Sequence, residues 1–174
     1  MGDEVWYATI VGVIVLSGLS IFYILYLAKM RRTKTNAAWK QAATELGLDF
    51  TPVTRMFGKY RMSGVIGKQL SCSVWAYTKP NSQGGYTTVM NYDVRFPQRL
   101  NKVNELLTPN IQSKLLEVNN VLKKVVVSDD SINSTRVSGF IRKSEILIQN
   151  VKLLIQLAEL IIPNEEVDSI FEEI

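Results

Sequence analysis

Residues 5–28 read VWYATIVGVIVLSGLSIFYILYLA, twenty-four positions without one charged side chain, and Lys29, Arg31, Arg32 and Lys34 follow at once. At about 1.5 Å per residue a helix of that length reaches about 36 Å, enough to cross a hydrocarbon core of about 30 Å with some tilt. The reading is one transmembrane helix over 5–28, preceded by a short external N-terminus (1–4) and followed by a basic juxtamembrane linker (29–35). Lysine and arginine stay on the cytoplasmic side, so the chain is expected in the cell membrane as a single-pass protein, N-terminus outside and C-terminal domain cytoplasmic. Lys29, Arg31, Arg32 and Lys34 are the expected membrane-surface contacts.

Asp3 and Glu4 are the reverse of the basic region that opens a secretory signal, which predicts a retained anchor. Trp6 and Tyr7 at one end, with Tyr23 and Tyr26 near the other, suit the two interfacial aromatic belts. Ala8 and Gly12 form a small-xxx-small pair, and Ser17, Gly18 and Ser20 add small residues, a surface through which the helix can form a homo-oligomer. No Asp, Glu, Lys or Arg lies inside the run, so nothing in it marks an ion or proton path.

Composition narrows the chemistry of the remainder. The 174 residues include no histidine, which removes the usual general base, proton shuttle and metal ligand together. The single cysteine, Cys72, has neither a disulfide partner nor a histidine to activate it, and its ordinary fate is a small buried apolar residue on a strand. No catalytic residue set, cofactor site or metal site is predicted. Charge is uneven: Lys29 to Arg61 holds eight basic and two acidic residues, whereas Pro163 to Ile174 holds five acidic and no basic ones. The basic part suits anionic headgroups; nucleic acid is not expected, because no nucleic-acid motif accompanies the charge.

Periodicity then divides residues 36–162 into an α+β domain. Thr35 or Asn36 can cap a helix carrying Ala38, Trp39, Ala42, Ala43 and Leu46 on one face, with Gly47 as its left-handed stop. Trp39 faces the core or the nearby interface, the core being the commoner fate. Leu48 to Val53 and Tyr60 to Ile66 look extended, and Gly67-Lys68 reads as a two-residue type II′ connection into Leu70 to Tyr77. Alternation there sets Leu70, Cys72, Val74 and Ala76 against Ser71, Ser73, Trp75 and Tyr77. Residues 79–85 are a loop by composition; their Gly84-Gly85 pair lacks the Lys-Ser/Thr ending and following helix of a phosphate loop. Tyr86 to Phe96 alternates again, with Met90, Tyr92, Val94 and Phe96 on one face, completing a three-stranded meander.

Near-helical spacing marks Gln98 to Thr108, and Thr108-Pro109 suits a cap and first position for a helix through Ile111, Leu115, Leu116, Val118 and Leu122. Val125 to Val127 is a short strand, Asp129-Asp130 a turn, and Ser131 to Phe140 a second strand. Two adjacent carboxylates resemble neither the separated pair of a glycosidase nor an EF-hand set. Arg142 to Ile162 is the longest helix outside the apolar run. Ile146, Ile148, Leu153, Leu154, Leu157, Leu160 and Ile161 form its broad apolar face, to be packed across the sheet. In the acidic amphipathic tail, 163–174, Val167, Ile170, Phe171 and Ile174 share a helical face that can dock in a protein partner's groove or on the chain's own domain.

At Trp39-Lys40-Gln41-Ala42-Ala43-Thr44-Glu45-Leu46-Gly47-Leu48, Met62-Ser63-Gly64-Val65-Ile66-Gly67 and Tyr86-Thr87-Thr88-Val89, the chain resembles uncharacterised membrane-anchored proteins of bacteria and archaea with a W-x-x-x-A-x-x-L-G-L helix followed by a glycine-containing β-hairpin. The resemblance covers residues 36–96 and implies an α+β domain, not an activity. In this chain Gly64 and Gly67 are three apart, where the resembled pattern has four.

The functional expectation is a membrane-tethered, non-enzymatic interaction or scaffold module. The alternatives are an anchored enzyme using Asp, Lys and Tyr chemistry, with Asp93, Lys79 and Tyr92 as its group, and a regulatory domain that binds the lipid surface. Expected partners are the bilayer itself and a protein met by the acidic tail.

Overall fold

The computed structural model describes residues 2–55, 58–100, 103–137 and 139–162. The fold is α+β: one long N-terminal apolar helix, a six-stranded antiparallel sheet and a C-terminal helix packed on it. Helix α1 runs unbroken over Gly2–Leu46. The expected cap at Thr35 or Asn36 and the linker before it are absent as breaks, since residues 29–35 are helical. They contain neither glycine nor proline. Thr33 and Thr35 turn their hydroxyls back onto the carbonyls of Lys29 and Arg31, at 3.1 and 2.9 Å, instead of competing for the helix backbone. Asn36 is diverted to tertiary duty: its side chain donates to the Val53 carbonyl and accepts from the Val53 N–H.

Gly47, at φ +68°, ends α1 as expected. The chain then turns back through β1 (Asp49–Thr51), β2 (Tyr60–Ile66), β3 (Leu70–Pro80) and β4 (Tyr86–Arg95). A one-turn helix α2 (Val103–Leu106) and then α3 (Pro109–Leu122) follow, before β5 (Val125–Val127), β6 (Ser131–Val137) and α4 (Ser144–Ile161). The sheet order is β1-β2-β3-β4-β6-β5, so the predicted meander stands at its centre. The β2–β3 turn differs from expectation. Ile66 pairs with Leu70, which makes the connection three residues long, with positive φ at Gln69 as well as at Gly67.

Three helical segments cover one face of the sheet. The C-terminal part of α1 lies against β1 and β2, α4 against β4, and α3 against β5 and β6. Trp39, Met62, Leu70, Val74, Met90, Val94, Leu122, Ile132, Leu147, Leu154 and Leu157 fill the layer between them and are fully buried. The Trp39 indole N–H donates to the Ile141 carbonyl at 3.3 Å, which assigns Trp39 to the core. α4 starts two residues later than predicted, and its buried stripe is Leu147, Ile148, Val151, Leu154, Ile155, Ala158 and Ile161, while Ile146 and Leu160 point to solvent. The predicted face was shifted because a helix this rich in leucine and isoleucine offers several apolar stripes.

The outward part of α1 behaves differently. From Trp6 to Tyr26 its described side chains are exposed, and its most apolar stretch has a mean hydropathy of 2.4 with none of it buried. This is one helix long and apolar enough to cross a membrane.

Candidate functional site

Antiparallel register lines up the uncovered face of the sheet in cross-strand rows. One row reads Arg61, Trp75, Asn91, Thr135; the next Ser63, Ser73, Asp93, Asn133; the third Val65, Ser71, Arg95, Ser131. Side chains two apart on one strand share a face, so all twelve stand on the side opposite the helices. A pocket of about 380 Å³ opens here, lined by Lys59, Arg61, Ser71, Ser73, Trp75, Asp93 and Arg95.

Its electrostatics are lopsided. Three cations surround one carboxylate. Asp93 is 7% exposed and accepts a charge-assisted hydrogen bond from Arg95 Nε at 2.9 Å. That hydrogen bond, with the carboxylate's charge behind it, holds the Arg95 guanidinium even further above its usual pKa. Lys59 lies 5.5 Å from the Trp75 ring centroid and 5.9 Å from that of Tyr77, each within cation–π range. With Asp93 engaged by Arg95, the pocket presents Arg61 and Lys59, serine hydroxyls and an indole, a set suited to an anionic group that carries some apolar surface.

Of the predicted Asp93, Lys79 and Tyr92 group, only Asp93 reaches this pocket. Tyr92 points the other way, into the core, where its hydroxyl accepts from Asn150 Nδ2 at 2.9 Å and burial pushes its pKa up to about 12. Lys79 pairs with Thr87, six positions along β3 from the Ser73–Asp93 pair and so about 20 Å away. Cys72, 1% exposed beneath the same sheet, has a thiol raised to about 12, first by burial and then by the Asp93 charge. Asp129 and Asp130 make the predicted turn. Asp130 accepts from Ser128 Oγ and Ser131 Oγ, while Asp129 pairs with Arg99 at 3.3 Å. No three His, Cys, Asp or Glu side chains gather as a metal site among the described residues.

Among the expected membrane-surface residues, Lys29, Arg31 and Lys34 are exposed, and Arg32 is half-buried with its guanidinium donating to the Thr54 carbonyl at 2.7 Å. Each residue advances a helix by about 100°, which distributes the four charges around α1. Val167, Ile170, Phe171 and Ile174 lie outside the described residues. Nothing in the sequence marks Arg61, Arg95 or Lys59 as site residues. Ser71, Ser73, Trp75 and Tyr77 were legible as one face of β3, but the residues beside them depend on inter-strand register. No protein-family model, curated protein or solved structure matches the chain.

Proposed function

We propose that this chain is a membrane-tethered, non-enzymatic interaction module: α1 crosses the cell membrane with the C-terminal domain on the cytoplasmic side, and the open face of the sheet receives an acidic segment of a protein partner. The observation that carries the binding assignment is the pocket with Lys59, Arg61 and Arg95 around a single, already paired Asp93. The exposed, apolar outer part of α1 and the ring of charge at Lys29, Arg31, Arg32 and Lys34 support the anchor and its orientation.

A photo-crosslinking side chain at Val65, which is 65% exposed on the same face, tests the assignment without disturbing the pocket. In intact membranes it is expected to give discrete protein adducts that disappear in an Arg61→Glu/Arg95→Glu variant. Adducts that persist unchanged in that variant, or no adducts from the Val65-labelled chain with Arg61 and Arg95 intact, overturn it. The enzyme reading draws its support from the buried Asp93 in a pocket, yet Arg95 holds that carboxylate and neither Tyr92 nor Lys79 stands beside it. An Asp93→Asn variant separates the two readings, because binding by Arg61 and Lys59 survives loss of the carboxylate and general-base chemistry does not.

The natural sequon Asn133-Ser134-Thr135 is a poor reporter of orientation. Asn133 sits inside β6, paired with Asp93 on one side and Val126 on the other.

A further inference from the structure

We infer that the tip of the β3–β4 hairpin, Lys79 to Tyr86, is a second contact with the membrane, seated in the headgroup layer of the bilayer that α1 crosses; this rests on the proposed membrane-spanning role of α1. Contacts along α1 fix the direction of the strands. Arg32 reaches Thr54, Asn36 reaches Val53, the Trp39 ring lies 5.5 Å from Tyr60, and Gly64 stands against Gly47 and Leu48. β2 therefore runs with α1, away from the apolar segment, and β3 runs back toward it.

Tyr60 pairs with Ala76, and β3 continues to Pro80. On the other side, β6 ends at Val137, paired with Val89. Beyond these pairs the hairpin projects as a two-stranded ribbon, Thr78 to Pro80 against Tyr86 to Thr88, with no further strand on either flank among the described residues. The four residues past Ala76 extend about 14 Å at about 3.4 Å each. Trp39, level with Tyr60, stands eleven residues from Ala28, or about 16 Å along the helix. The ribbon thus spans nearly the whole height between the domain and the end of the apolar run. A headgroup layer about 5–8 Å deep takes up the remainder, including what an inclined strand loses.

The chemistry of the tip fits that depth. Lys79 is exposed, Tyr86 is 70% exposed, and no carboxylate occurs from Lys79 to Thr88. A tyrosine flanked by small polar residues and a lysine is suited to the interface, where an apolar ring and a polar hydroxyl are both accommodated. The tip is held in shape. The Asn81 carboxamide oxygen accepts from the N–H groups of Gln83 and Gly85 at 3.1 and 2.8 Å, and the Asn81 N–H donates to the Gly85 carbonyl at 2.8 Å. A preformed loop gives up little entropy on meeting a surface.

The test uses the full chain in lipid nanodiscs with a small environment-sensitive fluorophore at Ser82→Cys, Lys68→Cys or Ser17→Cys, buried Cys72 being left in place. Lys68 lies in the β2–β3 turn at the far end of the sheet, and Ser17 lies in the apolar run. Headgroup nitroxide lipids are expected to quench the label at 82 at least threefold more than the label at 68. Equal quenching at 82 and 68, with the label at 17 quenched by acyl-chain nitroxides, overturns the hairpin contact and leaves the anchor standing. A label at 17 that acyl-chain nitroxides do not reach overturns the membrane-spanning reading and the hairpin contact with it.

Discussion

Tyr92 and Asn150 form the polar link through the middle of the core, a hydroxyl on β4 and a carboxamide on α4 that are 1% and 2% exposed. Asn150→Ala strands the hydroxyl without a partner and is expected to cost about 1–3 kcal/mol in urea denaturation. Tyr92→Phe combined with Asn150→Leu should cost less than the two single losses together, since removing both partners leaves no unsatisfied group. Burial also makes the alkaline limb of stability specific. Cys72 and Tyr92 have folded pKa values raised to about 12, and Tyr60 is raised too, mainly by burial. In the unfolded chain these groups lose protons near pH 9–10, before they do so in the folded one. Their contribution is therefore intact below about pH 9 and is lost as pH climbs toward 12. Denaturant midpoints measured from pH 8 to 11 should fall, less so in a Cys72→Ala variant. At pH 8 a thiol reagent should modify Cys72 only at the rate of unfolding.

Among the elements, alternation is legible wherever one face of a strand is buried. Leu70, Cys72, Val74 and Ala76 all face the core, and β2 has the predicted ends. What local pattern could not reveal is how a polar side chain divides its hydrogen bonds between its own backbone and a distant one. Asn36 has the chemistry of a cap but reaches Val53, seventeen residues on, so α1 does not stop there. The three-residue β2–β3 connection escaped for a similar reason, because Gln69 adopts a positive φ that its residue type does not advertise. At the end of α3 two lysines do the same, Lys123 at φ 62° and Lys124 at φ 46°. Lys123→Gly should raise stability by about 1 kcal/mol, read as a higher melting temperature, by relieving a conformation that a side chain disfavours. Gly64→Ala should act in the opposite sense, since a Cβ there would meet Leu48 Cδ2 at 3.0 Å where the β2 backbone passes the α1–β1 corner, and Leu48, packed in the core at 7% exposure, has little room to give way.

For the whole molecule, the candidate site was half legible. Asp93 and the polar face of β3 are visible in the sequence, but the cations lie on β2, β4 and the loop before β2, and only register brings them together. Binding of an acidic peptide to this face should weaken steeply between low and physiological salt, because Arg61 and Lys59 are solvent-exposed charges. Titration by anisotropy at two ionic strengths would show it, and Arg61→Gln should lower both the affinity and its salt dependence.

The unbroken course of α1 turns the join between its apolar outer part and the sheet into a drive shaft. A helix carries azimuth as well as distance: inserting one alanine after Met30 would advance the domain by about 1.5 Å and swing it by about 100° about the helix axis. The bearing of the basic pocket, and of the hairpin tip at the other end of β3, is thus geared to the angular setting of the outer segment. Any event that twists that segment would be delivered to the sheet as a change of heading.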